Sequence, residues 1–292
     1  LKKRLLFIIN PASGTADKTS FVVALHDYFR HTDFEYEVVL TEKAGDAALF
    51  SKKAADENFF AVTAVGGDGT VNETASGLIH TQTALFIAPY GSGNGLARHL
   101  NYPLNNLKAL FDILKNGKTR QIDAAQVNNR CFFATAGVGF DALVAHEFAK
   151  EKERGFKQYA KKVLKLLGSY QPISYKIKYN GSTTETWSFI LTVCNTSEYG
   201  NGAKINPSSI DNDNLLDVCQ IKAANTLSLA FSGLDIMRGN IEKNKLFNKF
   251  SASEITIETD ELCPLHIDGE PLAPANQFTF TTLPSALFVL TT

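Results

Sequence analysis

The sequence predicts an α/β domain built on a parallel sheet, followed by a second, mostly antiparallel β-sandwich domain. Three observations predict it. Over roughly the first 120 residues, short and wholly apolar runs alternate with amphipathic helical patterns, the texture of a sheet covered on both faces. After about Asp123 strand-like runs dominate. Glycine-bearing polar loops follow three of the early strand patterns, and in a parallel sheet such loops gather at the carboxyl ends of the strands, where ligands bind. The expected domains are residues 1–122 and 123–292, with a cleft between them. A chain of 292 residues with 44% hydrophobic and 20% charged residues suits one large or two modest folded domains and excludes a disordered chain.

The first strand is Leu5–Ile9, five apolar residues ended by Asn10-Pro11. It is too short for the apolar region of a signal peptide and fits a buried strand. Helix follows over Ser20–Arg30, strand over Tyr36–Leu40 and helix over Asp46–Glu57. Phe59–Val65 is a strand that runs into Gly66-Gly67-Asp68-Gly69; Val71–Ile79 is helical, Ala84–Ala88 a strand and Leu104–Lys115 a helix. In the second domain strands are expected at Phe132–Ala136, Tyr175–Tyr179, Trp187–Cys194, Leu216–Ile221, Glu254–Thr259, Phe278–Thr282 and Leu287–Leu290. Helices are expected at Asp141–Arg154, Phe156–Leu167 and Leu227–Ile236. The single tryptophan, Trp187, lies in a strand pattern and reads as core.

The glycine loops carry the chemistry. Gly66-Gly67-Asp68-Gly69-Thr70 stands between a strand and a helix, where backbone N–H groups and the helix N-terminus form an anion site. The Asp68 carboxylate would repel a bare phosphate, so it suits a metal, a sugar hydroxyl or a reacting hydroxyl. Pro89-Tyr90-Gly91-Ser92-Gly93-Asn94-Gly95 and Asn10-Pro11-Ala12-Ser13-Gly14 are loops of the same kind. None contains the Gly-Lys-Ser/Thr of a P-loop, and Leu96 stands where a dinucleotide fingerprint needs its last glycine. Three such loops at successive strand ends point to a phosphate-rich ligand.

Asp268-Gly269-Glu270 follows a strand-like run. It reads either as a solvated Asp-Gly turn between strands or as a pair of acids, one of them a base with a raised pKa. Asp211-Asn212-Asp213-Asn214 has the look of a calcium loop, but Leu215 and Leu216 stand where an EF-hand needs a ligand and a glycine.

Net charge is −1, from 29 Lys and Arg against 30 Asp and Glu, which gives no global case for nucleic acid. The local exception is Lys150–Lys165, with seven basic residues and two glutamates in a helical apolar spacing. It reads equally as a helix docked on anionic lipid or as a solvated helix face. The four cysteines have no metal-ligand or redox spacing and read as reduced thiols of a cytoplasmic protein. The six histidines show no paired spacing. No stretch approaches the roughly 18 apolar residues of a membrane span.

Six motifs in order resemble the diacylglycerol-kinase catalytic-domain family, bacterial lipid kinases related to sphingosine and ceramide kinases. They are Asn10-Pro11-x-Ser13-Gly14; Gly66-Gly67-Asp68-Gly69-Thr70-Val71-Asn72-Glu73; Gly91-Ser92-Gly93-Asn94 with Ala97-Arg98; Gly137-Val138-Gly139-Phe140-Asp141; Asp213-Asn214-Leu215-Leu216-Asp217; and Ile267-Asp268-Gly269-Glu270-Pro271. The resemblance implies an NAD-kinase- or phosphofructokinase-like first domain, a lipid-binding β-sandwich and a kinase that uses ATP and Mg2+.

By motif match, Asn10, Ser13, Gly14, Thr41, Gly66 to Glu73 and Gly91, Ser92, Gly93 and Asn94 would contact nucleotide. The resemblance makes Glu270 the proton acceptor, with Asp268 the close alternative and Asp68 in the magnesium–nucleotide network. A structural magnesium would be held by Asp213 and the carbonyls of Ile210 and Leu215. Asp141 would hold the lipid head or cap its helix. The expected reaction is phosphorylation of a lipid hydroxyl, diacylglycerol first, with sphingoid bases or phosphatidylglycerol as rival acceptors. A non-catalytic lipid-binding protein is the rival of another class. The expected setting is cytoplasmic and peripheral to a membrane, with a homodimer left open.

Overall fold

Apolar runs five to seven residues long form the centre of the first sheet because each is buried on both faces. The computed structural model describes residues 2–14, 18–151 and 156–292. The chain forms two compact units, residues 1–122 with 285–292, and residues 123–284. The expected second domain, 123–292, therefore differs from the second unit in its last segment, which joins the first unit.

In the first unit β1 (Lys3–Ile9), β2 (Phe34–Leu40), β3 (Ala61–Gly66) and β4 (Ala84–Pro89) are parallel. Their spatial order is β4-β3-β1-β2. The segment after Ser285 adds a further parallel strand beside β4, with Val289 opposite Leu85. Every residue of β3 and β4 is buried. Helices α1 (Thr19–Phe29), α2 (Asp46–Asp56), α3 (Asp68–Leu78), α4 (Gly95–His99) and α5 (Leu107–Asn116) complete the unit. Asn106 caps α5, its side chain accepting the Ala109 N–H at 3.0 Å. Helix α3 begins three residues before the expected Val71. Gly67 is its extended N-cap, so Asp68-Gly69-Thr70 is the first helical turn and not a loop.

β5 (Lys118–Val127) leads into the second unit. There β6 (Arg130–Phe132), β7 (Thr135–Gly137), β8 (Ile173–Tyr179), β9 (Ser182–Cys194), β10 (Leu216–Lys222), β11 (Phe247–Ala252), β12 (Glu254–Ile267) and β13 (Glu270–Thr291) pair antiparallel. Strand order is β11-β10-β9-β7-β12-β13, with β8 bridging β9 and β12. Leu191 and Val193 of β9 enter a core with Tyr175, Val218, Ile255 and Phe278. Ile190 and Cys194 face a second core beneath α6 (Phe140–Ala149), α7 (Phe156–Leu167) and α8 (Thr226–Arg238).

The helix expected to run to Arg154 ends at Ala149, and 152–155 lie outside the described residues. Trp187 is a correction to the expected core: it is 64% exposed. Its neighbours Thr186 and Ser188 both accept hydrogen bonds from Gln220, so the strand's alternation turns Trp187 outward. None of the four cysteines, all among the described residues, forms a disulfide, and Cys194, Cys219 and Cys263 are buried.

Candidate active site

Parallel strands end together, so their loops meet. In the first unit Asn10, just past β1, donates from Nδ2 to Thr70 Oγ1 at 3.1 Å and accepts the Ala12 N–H at 2.9 Å. Ser13 donates its hydroxyl to the Asn10 carbonyl at 3.0 Å. Thr41, past β2, donates its N–H to Ile9 O at 2.9 Å. Glu73 accepts the Gly45 N–H at 2.9 Å, which ties α3 to the start of α2.

The two larger glycine loops interlock. A β-carbon on Gly91 would lie 2.5 Å from Gly67 Cα, so only glycine permits this approach. Asn94, at φ +54°, accepts the Gly91 N–H at 3.0 Å and donates to Gly91 O at 2.8 Å. Asp68 accepts the Asn94 N–H at 2.9 Å and the Gly95 N–H at 2.8 Å, one on each carboxylate oxygen. Its carboxylate thus orders the second loop and caps the short helix after it. Ser92 is exposed at the loop tip, and Gly69 and Asn72 are partly exposed, whereas Gly66, Thr70 and Val71 are buried.

In the second unit Ile267 and Glu270 are register partners across a two-residue hairpin. Asp268 and Gly269 have φ +47° and +85°, the positive pair of a type I′ turn. The Asp268 carboxylate is turned inward, accepting N–H groups of Phe133 at 3.0 Å, Ala134 at 2.8 Å and Thr135 at 3.1 Å. Its own N–H donates to Thr135 O at 2.8 Å. Glu270 is exposed. The sequence joins the two acids as a pair, but the turn separates them by function: one clamps the backbone and the other faces solvent.

Asp141 is 6% exposed. Its Oδ1 accepts the N–H groups of Gly139 at 3.2 Å and Ala142 at 3.0 Å, capping α6. Its Oδ2 accepts Thr192 Oγ1 at 2.5 Å and Tyr199 OH at 3.1 Å, and stands 3.3 Å from His266 Nε2. Burial pushes this carboxyl up, but hydrogen bonds and charge from His266, with Thr192 and Tyr199, outweigh it and hold the pKa below the ordinary value. Burial raises the Tyr199 phenol well above its ordinary range, so it remains a donor. Asp141 thus sits buried in the first turn of α6 with these donors around its carboxylate.

The Asp213 loop is exposed, and Asn214 takes φ +65°, the left-handed conformation for which glycine would otherwise be needed. Asp213 accepts the Leu215 N–H at 3.1 Å. Asp123, 1% exposed, accepts the Asn214 N–H at 2.6 Å and donates its own N–H to Asp211 O at 2.7 Å. Among the described residues no three His, Cys, Asp or Glu side chains cluster to hold a metal. A carboxylate with the backbone carbonyls of Ile210 and Leu215 is an oxygen-only donor set, suited to a hard cation such as Mg2+ and unsuited to zinc.

Two buried residues that engage these loops lie beyond the sequence reading. Asp123 precedes two alanines and carries no motif. His266 stands between Leu265 and Ile267, and a histidine inside an apolar strand next to an acidic turn is the signal that points to it.

Known proteins match this chain over two successive domains. Residues 4–127 match the diacylglycerol kinase catalytic domain, and residues 134–291 match the YegS C-terminal NAD kinase beta sandwich-like domain. A diacylglycerol kinase of Bacillus subtilis (strain 168) is 29% identical over 272 residues, covering 92% of this chain and 90% of that protein. One from Staphylococcus carnosus (strain TM300) is 26% identical over 274 residues, with 92% and 89% covered. A crystal structure of a diacylglycerol kinase from Bacillus anthracis str. Sterne superposes with a TM-score of 0.74 at 21% identity, covering 100% of this chain and 97% of that one. A second structure from that organism gives 0.80 at 24%, with the same coverage; both likenesses speak to fold. The second match spans more than half of the chain, which therefore belongs to the family of the YegS C-terminal NAD kinase beta sandwich-like domain; with a diacylglycerol kinase catalytic domain ahead of it, the chain is a lipid kinase.

Proposed function

We propose that this lipid kinase transfers the γ-phosphate of ATP to the free hydroxyl of diacylglycerol, giving phosphatidic acid, with Glu270 as the base. The observation that carries the assignment of the base is the hairpin turn that engages Asp268 with three backbone N–H groups and leaves Glu270 exposed. The lipid hydroxyl oxygen attacks the γ-phosphorus, the bond to the β-phosphate oxygen breaks, ADP leaves, and the hydroxyl proton passes to the Glu270 carboxylate. The N-terminal turn of α3 at Gly67–Thr70, beside Asn10, and the Ser92-Gly93 loop tip would offer backbone N–H groups to the phosphates. Mg2+ bound with the nucleotide neutralises triphosphate charge, and Asp213 with the Ile210 and Leu215 carbonyls would hold a second, structural ion. The relatives' names support diacylglycerol as acceptor.

The lipid reaches the enzyme at a bilayer surface, and α7 and α8 support a docking face there. Leu227, Phe231 and Leu234 of α8 are 68%, 57% and 47% exposed and form one stripe at helical spacing, continued by exposed Arg238. α7 packs beside α8 and exposes Leu164, Lys161 and Lys165. Apolar insertion beside lysines fits an anionic leaflet, on the cytoplasmic side where ATP is present.

Transfer from labelled ATP to a panel of micellar lipids tests the reading. Diacylglycerol should be labelled far above phosphatidylglycerol, sphingosine, ceramide and a no-lipid control. Preferential labelling of another lipid would replace the acceptor, and folded, ATP-bound protein that labels none would overturn the reaction.

A further inference from the structure

We propose that Asp141 and His266 form a positioning pair for the turn that carries Glu270, and that Asp141 acts through His266 rather than on the lipid. This rests on the reading of Glu270 as the base. His266 is 2% exposed and is the penultimate residue of β12. The Gly269 N–H donates to His266 Nδ1 at 3.3 Å. A backbone amide only donates, so Nδ1 is the acceptor and the neutral ring carries its proton on Nε2. That nitrogen faces Asp141 Oδ2 at 3.3 Å. The carboxylate therefore selects the tautomer, and the tautomer leaves Nδ1 free to hold the turn.

The rest of the geometry supports a closed device. Two backbone N–H groups, His266 and the Thr192–Tyr199 hydroxyl pair, whose oxygens lie 2.6 Å apart, surround the Asp141 carboxylate. A carboxylate has about four acceptor sites, so a lipid hydroxyl would have to displace one of these buried partners. Gly137 stands opposite His266 in the β7–β12 ladder. A β-carbon there would lie 2.0 Å from Asp141 Oδ2 and 2.7 Å from His266 Nε2; the absent side chain is the room the pair occupies. The turn is thus held from two sides, by the Asp268 carboxylate on residues 133–135 and by His266 on Gly269. Releasing the second hold frees the backbone that aims Glu270.

Asp141→Asn is the informative substitution. Backbone N–H groups keep the amide oxygen at the Oδ1 position, so the amide nitrogen faces Nε2, the proton moves to Nδ1, and Gly269 loses its acceptor. This is the wrong-tautomer effect of an Asp-to-Asn change behind a catalytic histidine. D141N and H266F should each lower kcat by about tenfold or more, with the lipid KM within about twofold of wild type and the double variant no worse than either single one. The 15N signals of the His266 ring should report Nε2–H in the wild type and Nδ1–H in D141N.

A raised lipid KM with unchanged kcat in D141N alone would make Asp141 a lipid ligand and overturn the proposal. So would unchanged kcat in both folded variants. If D141N fails to fold, H266F and the wild-type ring signals decide, and Nδ1–H in the wild type is the overturning result. A wild-type protein that phosphorylates no lipid removes the functional reading, and this proposal with it; the tautomer is read without substrate, so the two failures are distinct.

Discussion

Asp68 and Asp268 come from different motifs yet do the same local work, each accepting backbone N–H groups that a tight loop would otherwise leave unpaired. Glu270 is the exposed acid of its motif. Glu270→Gln should therefore lower kcat by about 10²–10⁴-fold, the usual worth of a general base, while the thermal midpoint stays put. Asp268→Asn should lose stability, about 1–3 kcal/mol for the orphaned N–H groups, together with activity. Steady-state rates and melting curves separate the two, and an E270Q protein with full turnover would remove the base assignment.

Asp141 adds a pH dependence. Its folded pKa is held below the ordinary value by His266, Thr192 and Tyr199 against burial. A depressed carboxyl contributes stability above its unfolded pKa of about 3.9 and loses it as pH falls through the lower folded value. The denaturation midpoints of wild type and D141N should converge as pH drops below about 4; a gap that widens there would contradict the ordering of these pKa values. At this scale the motifs were legible because glycine spacing and acid identity stand out in a chain. Asp123 and His266 were not, since each gains its role from a partner far along the sequence, Asn214 and Asp141.

Among the elements, the contact between the glycine loops is the tightest constraint. Gly91→Ala would force a β-carbon against Gly67 Cα, so nucleotide affinity measured by calorimetry should fall by tenfold or more, about 1.4 kcal/mol; wild-type affinity in G91A would show that the loops separate freely. Helix α8 makes a second case. Replacing Leu227, Phe231 and Leu234 with serine should reduce pelleting with phosphatidylglycerol vesicles and leave turnover on detergent-dispersed lipid near wild type. Equal pelleting of both proteins, or pelleting indifferent to salt and lipid charge, would refute the docking face.

The start of α3 and the outward side of α8 show where pattern reading ends. Glycines look like loop residues, yet Gly69 fits in a first helical turn once Gly67 serves as N-cap. α8 is apolar nearly all round, with Leu229 and Ile236 buried and Leu227 and Phe231 exposed, so its periodicity identifies a helix without saying which side faces the core. Trp187 fails for a related reason: strand content was legible, but strand phase depends on where Gln220 lies in the neighbouring strand.

For the whole molecule, the alternation of short apolar strands with helices, followed by long antiparallel strands, was enough to read the two-domain plan. The return of the chain to the first unit was not, because Leu287–Leu290 looks like any other buried strand. Ala286, Leu287, Val289 and Leu290 are each at most 1% exposed, and Tyr102 donates its hydroxyl to Leu290 O. Burying a large apolar side chain contributes about 1.5–3 kcal/mol, so three together approach the entire stability of a domain. Deleting residues 285–292 should leave the first unit unfolded or readily proteolysed, while 123–284 keeps its resistance. An intact first unit in that deletion would show that the returning strand is dispensable.

The same strand sets an order of events in synthesis. Residues 1–122 are made first, but the flank of β4 stays bare until 285–292 arrive. At about 5–20 residues per second the ribosome needs roughly ten to thirty seconds to supply them. Throughout that interval the nascent first unit carries an unpaired sheet edge, the kind of surface that invites pairing with another chain. The half made first is the half completed last.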